Sequence, residues 1–202
     1  FDRSIAGFSI MPVIYAPLTG DPDESMIPSI EASAAEESPV RLRKVLPECG
    51  PPVPIETRFQ EEGDRYMPDE TLLSAPAIGH PLTPGDTYAL IYDGDWRGRD
   101  GLPMYTPEAF YDRLLSADAS SSKRSDQGFA ALRECESEAI DSRTLRMATT
   151  FTVQNPAKTT RAMRDVAVAD AASNAPSIRD FRVLNGASGA EWTTYRGVYD
   201  TP

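Results

Sequence analysis

Short apolar stretches, separated by proline, glycine and acidic residues, make up the first half of the chain. Apolar and polar side chains alternate over residues 40–46 and 53–59, as expected of strands with one buried face. Apolar residues also dominate 8–18, 71–77 and 87–92, which predicts three more strands. Short strands with turn signals between them are typical of an all-β sandwich. We therefore predict a mainly β fold with antiparallel strands.

The hydrophobic period changes after residue 105. Thr106-Pro107-Glu108 is a helix start, with threonine as the N-cap and proline at the first helical position. Apolar residues at three-to-four spacing predict a second helix over about residues 127–140. Strand alternation returns over residues 144–153. We therefore predict a helical insertion at about residues 106–141, placed before the last strand of the sandwich.

The C-terminal part of the chain follows another pattern. Asn155-Pro156 is expected to start a third helix that runs to about Ala172, and two strands are predicted over residues 178–184 and 192–199. We divide the chain into a domain over residues 1–156 and an extension or linker over residues 157–202. The extension contains three aromatic residues that we expect to contact a following domain, because an isolated tail should not expose such apolar area. These residues are Trp192, Tyr195 and Tyr199.

One segment carries a family resemblance. Leu82, Pro84 and Tyr88 form a Leu-x-Pro-x-x-x-Tyr pattern that resembles the tyrosine corner of immunoglobulin-like and fibronectin-type-III-like domains. The resemblance implies that the Tyr88 ring enters the core and that its hydroxyl forms a hydrogen bond with backbone a few residues upstream. A buried hydroxyl without that bond would be costly, by roughly 1–3 kcal/mol.

Three further stretches, residues 15–23, 95–103 and 149–156, look similar to segments of bacterial immunoglobulin-like domains. Together they resemble the domains found N-terminal to secreted bacterial lipase- and esterase-like α/β-hydrolases, in which a helical insertion precedes the last strand. The resemblance covers roughly residues 5–156 and implies an immunoglobulin-like antiparallel β-sandwich. It transfers no catalytic residue, because no catalytic motif of those hydrolases is found in this chain.

The charge of the chain limits its partners. Lysine and arginine total 20 against 31 aspartate and glutamate, which gives a net charge of −11. Such a surface repels phosphate backbones and anionic lipid, so nucleic acid and membrane surfaces are not expected partners. An acidic surface also keeps many secreted proteins soluble. Because no apolar run approaches the ~20 residues of a membrane helix, we predict no membrane insertion.

The chain begins at Phe1 rather than methionine, and its last residues carry no charged tail. We expect a processed or interrupted chain of an exported protein, located outside the cell, on its surface or in the periplasm. Cys49 and Cys135 match no metal-ligand spacing. In an oxidising compartment they could form one disulfide that closes a long loop. The alternative is two separate buried thiols, and the apolar helical face that carries Cys135 favours a packing role for it.

Motifs of catalysis are largely missing from the sequence. His80 is the single histidine, and it lies in a turn before Pro81. A catalytic triad would have to use it, yet the chain has no Gly-x-Ser-x-Gly elbow. Zinc sites of the usual kinds lack ligands, and no phosphate-binding glycine loop is present. We therefore predict no catalytic residue and no cofactor in this chain.

The loop over residues 93–101 is the candidate binding segment. Asp93, Asp95 and Asp100 suggest calcium, although Arg97 and Arg99 occupy positions that should donate oxygen atoms in an EF-hand. A looser calcium site could add the carboxylates of Asp21, Asp23 and Glu24. The plain alternative is a solvated turn in which aspartate and glycine supply the backbone angles.

Three aromatic residues, Tyr92, Trp96 and Tyr105, lie in or beside that loop. They could form a platform for sugar or peptide. Aromatic side chains in such loops more often anchor the loop onto the core. The two interpretations differ in whether the rings face solvent.

Four functions follow from these patterns. The first is a non-catalytic accessory or structural immunoglobulin-like domain of an exported bacterial protein, which positions or stabilises a following domain or partner chain, itself potentially a hydrolase. The second is an adhesion module that binds carbohydrate or protein. The third is a subunit of a cell-surface assembly whose edge strands pair with neighbours. An independent enzyme comes last.

Overall fold

The computed structural model describes residues 7–136, 145–173, 178–184 and 193–199. Within these ranges the chain forms mostly antiparallel strands and a few helices, so the predicted mainly β character is confirmed. The elements are β1 (Ile14–Pro17), β2 (Val40–Leu46), β3 (Pro52–Val53), β4 (Ile55–Gln60), β5 (Thr71–Pro76), β6 (Thr87–Tyr92), α1 (Glu108–Ser116), α2 (Arg124–Cys135), β7 (Met147–Thr152), α3 (Ala157–Ser173), β8 (Ile178–Val183) and β9 (Tyr195–Tyr199).

The chain divides into two compact units, and the boundary lies between Asn155 and Pro156. The first unit contains β1 to β7 with α1 and α2. Its strands form a three-stranded sheet in the order β1-β5-β4 and a four-stranded sheet in the order β3-β2-β6-β7. All neighbouring strands in both sheets are antiparallel.

The chain changes sheets at Pro54. The sequence predicted one strand over residues 53–59, but β3 pairs with β2 in one sheet while β4 pairs with β5 in the other. Proline has no N–H to donate to a ladder, so a strand is easily interrupted there. The predicted strand over residues 8–18 is also shorter. It contains β1 at the sheet edge and a separate parallel bridge between Phe8 and Val153.

The two sheets of the first unit share one apolar core. Alternate residues of β2 and β6, such as Leu42 and Leu90, point to the same side and meet Ile55 of β4 and Leu72 of β5. The two-residue period of a strand places these side chains on one face. The core thus lies between the sheets, with Trp96 and Tyr88 at its margins.

The other face of the four-stranded sheet is covered by α1 and α2. Ala89 and Ile91 of β6 pack with Leu114 of α1 and with Phe129 and Leu132 of α2. Strand β6 is therefore buried on both faces, and all six of its residues are buried. The helical segment is inserted between β6 and β7, which are neighbours in the sheet. The predicted end of this insertion, at residues 137–141, lies outside the described residues.

The start of α1 differs from the prediction. Thr106 does not cap the helix, and its hydroxyl instead donates a hydrogen bond to the carbonyl oxygen of Arg146 at 2.9 Å. Pro107 takes the N-cap position and the helix begins at Glu108. The threonine hydroxyl thereby ties the segment before the helix to the chain entering β7.

The second unit consists of α3 and the antiparallel hairpin of β8 and β9. No residue of α3 is buried. In the hairpin, the Phe181 and Tyr195 rings stack with centroids 5.1 Å apart. Tyr195 remains exposed. Trp192 lies outside the described residues, and so does the side chain of Tyr199, so the contacts expected of them are not described.

Candidate functional site

The turn before β6 is fastened to the core by Tyr88. Its ring is 5% exposed and stacks near Phe151 of β7. The backbone N–H of Thr83 donates a hydrogen bond to the Tyr88 hydroxyl at 3.1 Å. Leu82 is also buried, whereas Pro84 is exposed. The three residues singled out in the sequence thus sit at one corner, where the chain enters the central strand.

Trp96 follows β6 and is a core residue, with only 1% of its surface exposed. Its indole N–H donates to the carbonyl oxygen of Asp93 at 2.9 Å, and its ring meets Tyr92 edge-on. Tyr92 is buried too. Neither ring therefore faces solvent, and both pack the loop onto the core. Tyr105 differs, because it is 83% exposed.

The buried Tyr92 hydroxyl is one end of a chain of three hydrogen-bonded hydroxyls inside the core. It forms a hydrogen bond with Ser74 at 2.9 Å, and Ser74 forms another with Thr57 at 2.8 Å. Burial raises the pKa of Tyr92 to about 12, and the Ser74 hydrogen bond opposes only part of this rise. The hydroxyls satisfy one another between the sheets.

The carboxylates proposed for calcium are engaged separately. Asp93 accepts a hydrogen bond from Arg41 at 3.1 Å, and Asp95 accepts one from Arg97 at 3.0 Å. Asp100 accepts the N–H of Leu102 at 2.9 Å.

The three remaining carboxylates are engaged in the same way. Asp21 and Glu24 lie 3.0 Å and 3.5 Å from Arg99. Hydrogen bonds from the Ser25 hydroxyl and backbone lower the pKa of Asp23. Across the described ranges, no three or more histidine, cysteine, aspartate or glutamate side chains are placed to hold a metal ion.

A cleft of about 1080 Å³ opens beside this loop, and we call it the acidic cleft. Trp96, Tyr92 and Leu72 are its buried members, so they form its floor. Its lining comes from the turn after β1, the hairpin between β4 and β5, the segment over residues 98–110 and the start of β7.

The apolar lining of the acidic cleft is open to solvent. Leu102 is 65% exposed and Tyr105 is 83% exposed. Met104, Phe110 and Met147 are half-buried beside them. Large apolar side chains grouped in a concavity, rather than scattered singly, are characteristic of binding sites.

The charged lining of the acidic cleft is mostly negative. Its six carboxylates are those of Asp21, Glu61, Glu62, Asp69, Glu70 and Asp100, against the two guanidinium groups of Arg99 and Arg146. Both arginines are already engaged: Arg99 pairs with Asp21, and Arg146 donates to the carbonyl oxygen of Gly94 at 3.1 Å. The cleft therefore presents an excess of negative charge.

The acidic side of the cleft was missed by sequence reasoning. Glu61, Glu62 and Glu70 stand at the ends of β4 and β5, in segments that look like ordinary solvated turns. Their only sequence signal is the density of carboxylates on both sides of one hairpin. Nothing local to residues 61–70 indicates that they share a concavity with Tyr105.

A buried ionic cluster on the outer face of β2 was also missed. Glu136, at the end of α2, lies 3.2 Å from Arg41 and 2.6 Å from Arg43. Arg41 also pairs with Asp93, and Arg43 with the exposed Glu36. All three central side chains are buried, and the Arg41 Nε atom has no hydrogen-bond partner. Arg41 and Arg43 occupy alternate positions of a strand that is predicted to have one buried face. The sequence pattern therefore places both side chains on the face that is expected to be exposed.

Cys49 and Cys135 are joined by a disulfide, with their Cα atoms 5.5 Å apart. Of the two alternatives, separate buried thiols are therefore not what the structure contains. The bond connects the segment between β2 and β3 to the last residue of α2, directly before Glu136. It thereby holds the helix end next to the buried ionic cluster.

His80 lies on an exposed turn. Its backbone N–H donates to the carbonyl oxygen of Ala77, and within the described residues its ring forms no hydrogen bond with a carboxylate or hydroxyl. It lines a second concavity of about 450 Å³ with Lys44, Glu48 and the disulfide segment.

In the described part of the chain, no helix has the length and apolarity needed to cross a membrane.

Comparison of the chain with models of known protein families, with curated proteins and with solved structures finds no match.

Proposed function

We propose that the first unit is an immunoglobulin-like domain that serves as a non-catalytic accessory module of an exported bacterial protein. In this role it positions or stabilises a neighbouring domain or partner chain. The observation that carries the proposal is the strand order of its two sheets, together with the Tyr88 corner.

The strand order supports an immunoglobulin-like topology. In such domains one sheet contains strands in the order A-B-E-D and the other contains C, F and G, with C′ added beside C in variable-type domains. The order β1-β5-β4 corresponds to B-E-D, and the order β3-β2-β6-β7 corresponds to C′-C-F-G. The helical insertion then falls between F and G.

The Tyr88 corner supports the same assignment. A tyrosine corner places a tyrosine near the start of strand F, with its hydroxyl bonded to backbone a few residues upstream. Tyr88 is the second residue of β6, and its hydroxyl accepts the N–H of Thr83. The chain departs from antibody domains in its disulfide, which joins the β2–β3 connection to α2 rather than the B and F strands.

The disulfide supports export. Stable disulfides form in oxidising compartments and are rare in the cytosol. The position of the single histidine supports a role without turnover. His80 lies on an exposed turn, and within the described residues its ring forms no hydrogen bond with a nucleophilic side chain. Both points favour an accessory domain over an independent enzyme.

The acidic cleft favours one further role, a protein-binding module. The carbohydrate version of that role depended on an exposed Trp96 ring, which is buried. The cleft instead offers exposed apolar side chains beside carboxylates. Because an excess of carboxylates favours a positively charged occupant, these two properties suit a polypeptide with basic residues better than a neutral sugar.

Two measurements test the accessory role. Thiols of the protein are trapped by alkylation at the moment of lysis of the cells that make it, and mass spectrometry then reads Cys49 and Cys135. The proposal predicts a disulfide, and two alkylated thiols would contradict export. In parallel, the purified chain and its His80→Ala variant are assayed with ester and glycoside substrates. We expect no turnover by either, so hydrolysis that disappears in the variant would contradict the non-catalytic role.

A further inference from the structure

We infer that the acidic cleft binds an extended segment of a partner protein in which basic residues alternate with large apolar ones. The inference rests on the proposed accessory role and specifies the chemistry of the partner. It is carried by two properties of one concavity: an exposed apolar surface, and six carboxylates against two arginines that are both already engaged.

The apolar surface provides the contact area. Leu102 and Tyr105 expose most of their side chains at the cleft, next to the half-buried Met104 and Phe110. An apolar side chain laid on them would be removed from water together with them, which is the dominant favourable term in association. Met104 packs against the core cluster that contains Trp96 and Leu72, so this part of the surface rests on the core.

The carboxylates select the charge of the occupant. Glu61, Glu62 and Glu70 form no side-chain hydrogen bond or ion pair with the described residues. The two arginines of the cleft are engaged elsewhere, Arg99 by Asp21 and Arg146 by a backbone carbonyl. A basic side chain therefore meets carboxylates that are free to pair with it, whereas an acidic one is repelled.

The charged and the apolar residues of the cleft come from different segments, which suits a peptide in an extended conformation. The three glutamates belong to the β4–β5 hairpin, and the exposed apolar residues belong to the segment after β6. In an extended peptide, successive side chains point to opposite sides. A sequence that alternates basic and apolar residues can therefore direct one set to the hairpin and the other to the segment after β6. Nucleic acid does not fit, because its phosphates would face the carboxylates.

The experiment uses the full chain and a short synthetic peptide in which arginine alternates with leucine. Binding is measured by isothermal titration calorimetry at low and at physiological ionic strength. The cleft variant carries Glu61→Gln, Glu62→Gln and Glu70→Gln. Its matched control carries Glu31→Gln, Glu37→Gln and Glu134→Gln, exposed residues outside the cleft, so both variants lose equal charge. A Leu102→Ser variant tests the apolar part. Peptides that alternate arginine with glycine, or glutamate with leucine, test the ligand.

We expect the cleft variant to bind the arginine–leucine peptide about tenfold more weakly, as three exposed ion pairs allow, and the control variant to change by less than about twofold. Affinity should fall with salt, and both altered peptides should bind more weakly. Equal losses in the two triple variants would mean a general charge effect and would overturn the inference. Failure of a folded, disulfide-bonded chain to bind the peptide would also overturn it.

The accessory role and the proposed partner chemistry can fail separately. If the peptide does not bind while thiol trapping finds the disulfide and no turnover is detected, the partner chemistry is wrong and the accessory role stands. If substrate turnover depends on His80, the accessory role is wrong whatever the peptide does.

Discussion

The backbone N–H of Thr83 donates a hydrogen bond to the hydroxyl of Tyr88, five residues further along the chain, at 3.1 Å. The bond closes a turn over the edge of the core, with the buried Leu82 on its inner side. The turn also pairs with the far end of β7, since the N–H of Gly85 donates to Val153 and the N–H of Val153 donates to Asp86. Tyr88 thus joins the entry of the central strand to both core and sheet.

Replacing Tyr88 by phenylalanine tests this connection. The ring remains, but the Thr83 N–H loses its partner, so the free energy of unfolding should fall by about 1 kcal/mol. Urea denaturation measures the change. Tyr105→Phe is the matched control, because its ring is exposed and a surface change of this kind stays within about 0.5 kcal/mol. Equal stability of the two variants would show that the hydrogen bond does not contribute to the free energy of unfolding.

Alternation and turn residues predicted the strands of the first unit well, because a strand with one buried face leaves a two-residue period in the sequence. The break at Pro54 could not be placed from the period, since alternation continues through β3 and β4 while the strands belong to different sheets. The Thr106 cap was wrong for a related reason. The hydroxyl has two acceptable partners, and the one it uses, Arg146, is distant in sequence.

The candidate site was predicted only in part. Tyr105 and Asp100 lie in the acidic cleft, but Trp96 belongs to its buried floor, because a large ring gains more from burial than from exposure. The glutamates of the β4–β5 hairpin were missed because their position depends on sheet packing. Arg41 and Arg43 were assigned to solvent because α2, which covers them, is joined to the sheet far along the chain.

Glu136→Gln should be strongly destabilising. The glutamate pairs with Arg41 and Arg43, and all three side chains are buried. Removing the shared counter-charge leaves two guanidinium groups side by side, and breaking a buried pair typically costs about 3–5 kcal/mol. Chemical denaturation of Glu136→Gln beside Glu134→Gln, an exposed change on α2, measures the difference. A loss below about 1 kcal/mol in the first variant would contradict the role assigned to this cluster.

Loss of the disulfide should cost a large fraction of the stability. Cys49 and Cys135 are 86 residues apart, and the chain-entropy model gives roughly 4–5 kcal/mol for a loop of this length. The Cys49→Ser, Cys135→Ser double variant and the reduced wild-type chain should have similar lowered midpoints in urea. Insensitivity of the wild-type midpoint to reductant would contradict the prediction. Adding Glu134→Gln to the cysteine double variant should leave its midpoint in urea unchanged.

Glu70 occupies a backbone conformation that favours a different residue. Its φ angle is 54°, in the left-handed region, where asparagine is much better tolerated than glutamate or glutamine. Glu70→Asn and Glu70→Gln remove the same charge and differ in backbone preference. The asparagine variant should be the more stable one, by about 0.5–1 kcal/mol. Thermal or urea unfolding measures the stability of the two variants. A more stable glutamine variant would show that the backbone at Glu70 is not strained.

Ionisation of Tyr92 should lower the stability of the protein at alkaline pH. Its pKa is raised to about 12 by burial, whereas tyrosine in an unfolded chain ionises near pH 10. The protonated form is thus favoured by folding, so this contribution is complete below about pH 10 and is lost as the pH rises towards 12. At about pH 11 the loss should be on the order of 1 kcal/mol. Comparing Tyr92→Phe with Tyr105→Phe between about pH 8 and pH 11 isolates it, since only the first variant should show a flatter pH dependence.

The order of strands around β6 is the most direct test of the central claim, because the immunoglobulin-like assignment depends on it. Cross-strand nuclear Overhauser contacts between backbone protons of the full, isotope-labelled chain measure that order. The immunoglobulin-like strand order predicts contacts from Leu90 to Leu42 of β2 and to Thr149 of β7, and from Leu72 of β5 to Ala16 of β1. Contacts that place β6 at a sheet edge, or that pair β4 with β2 instead of β5, would contradict it.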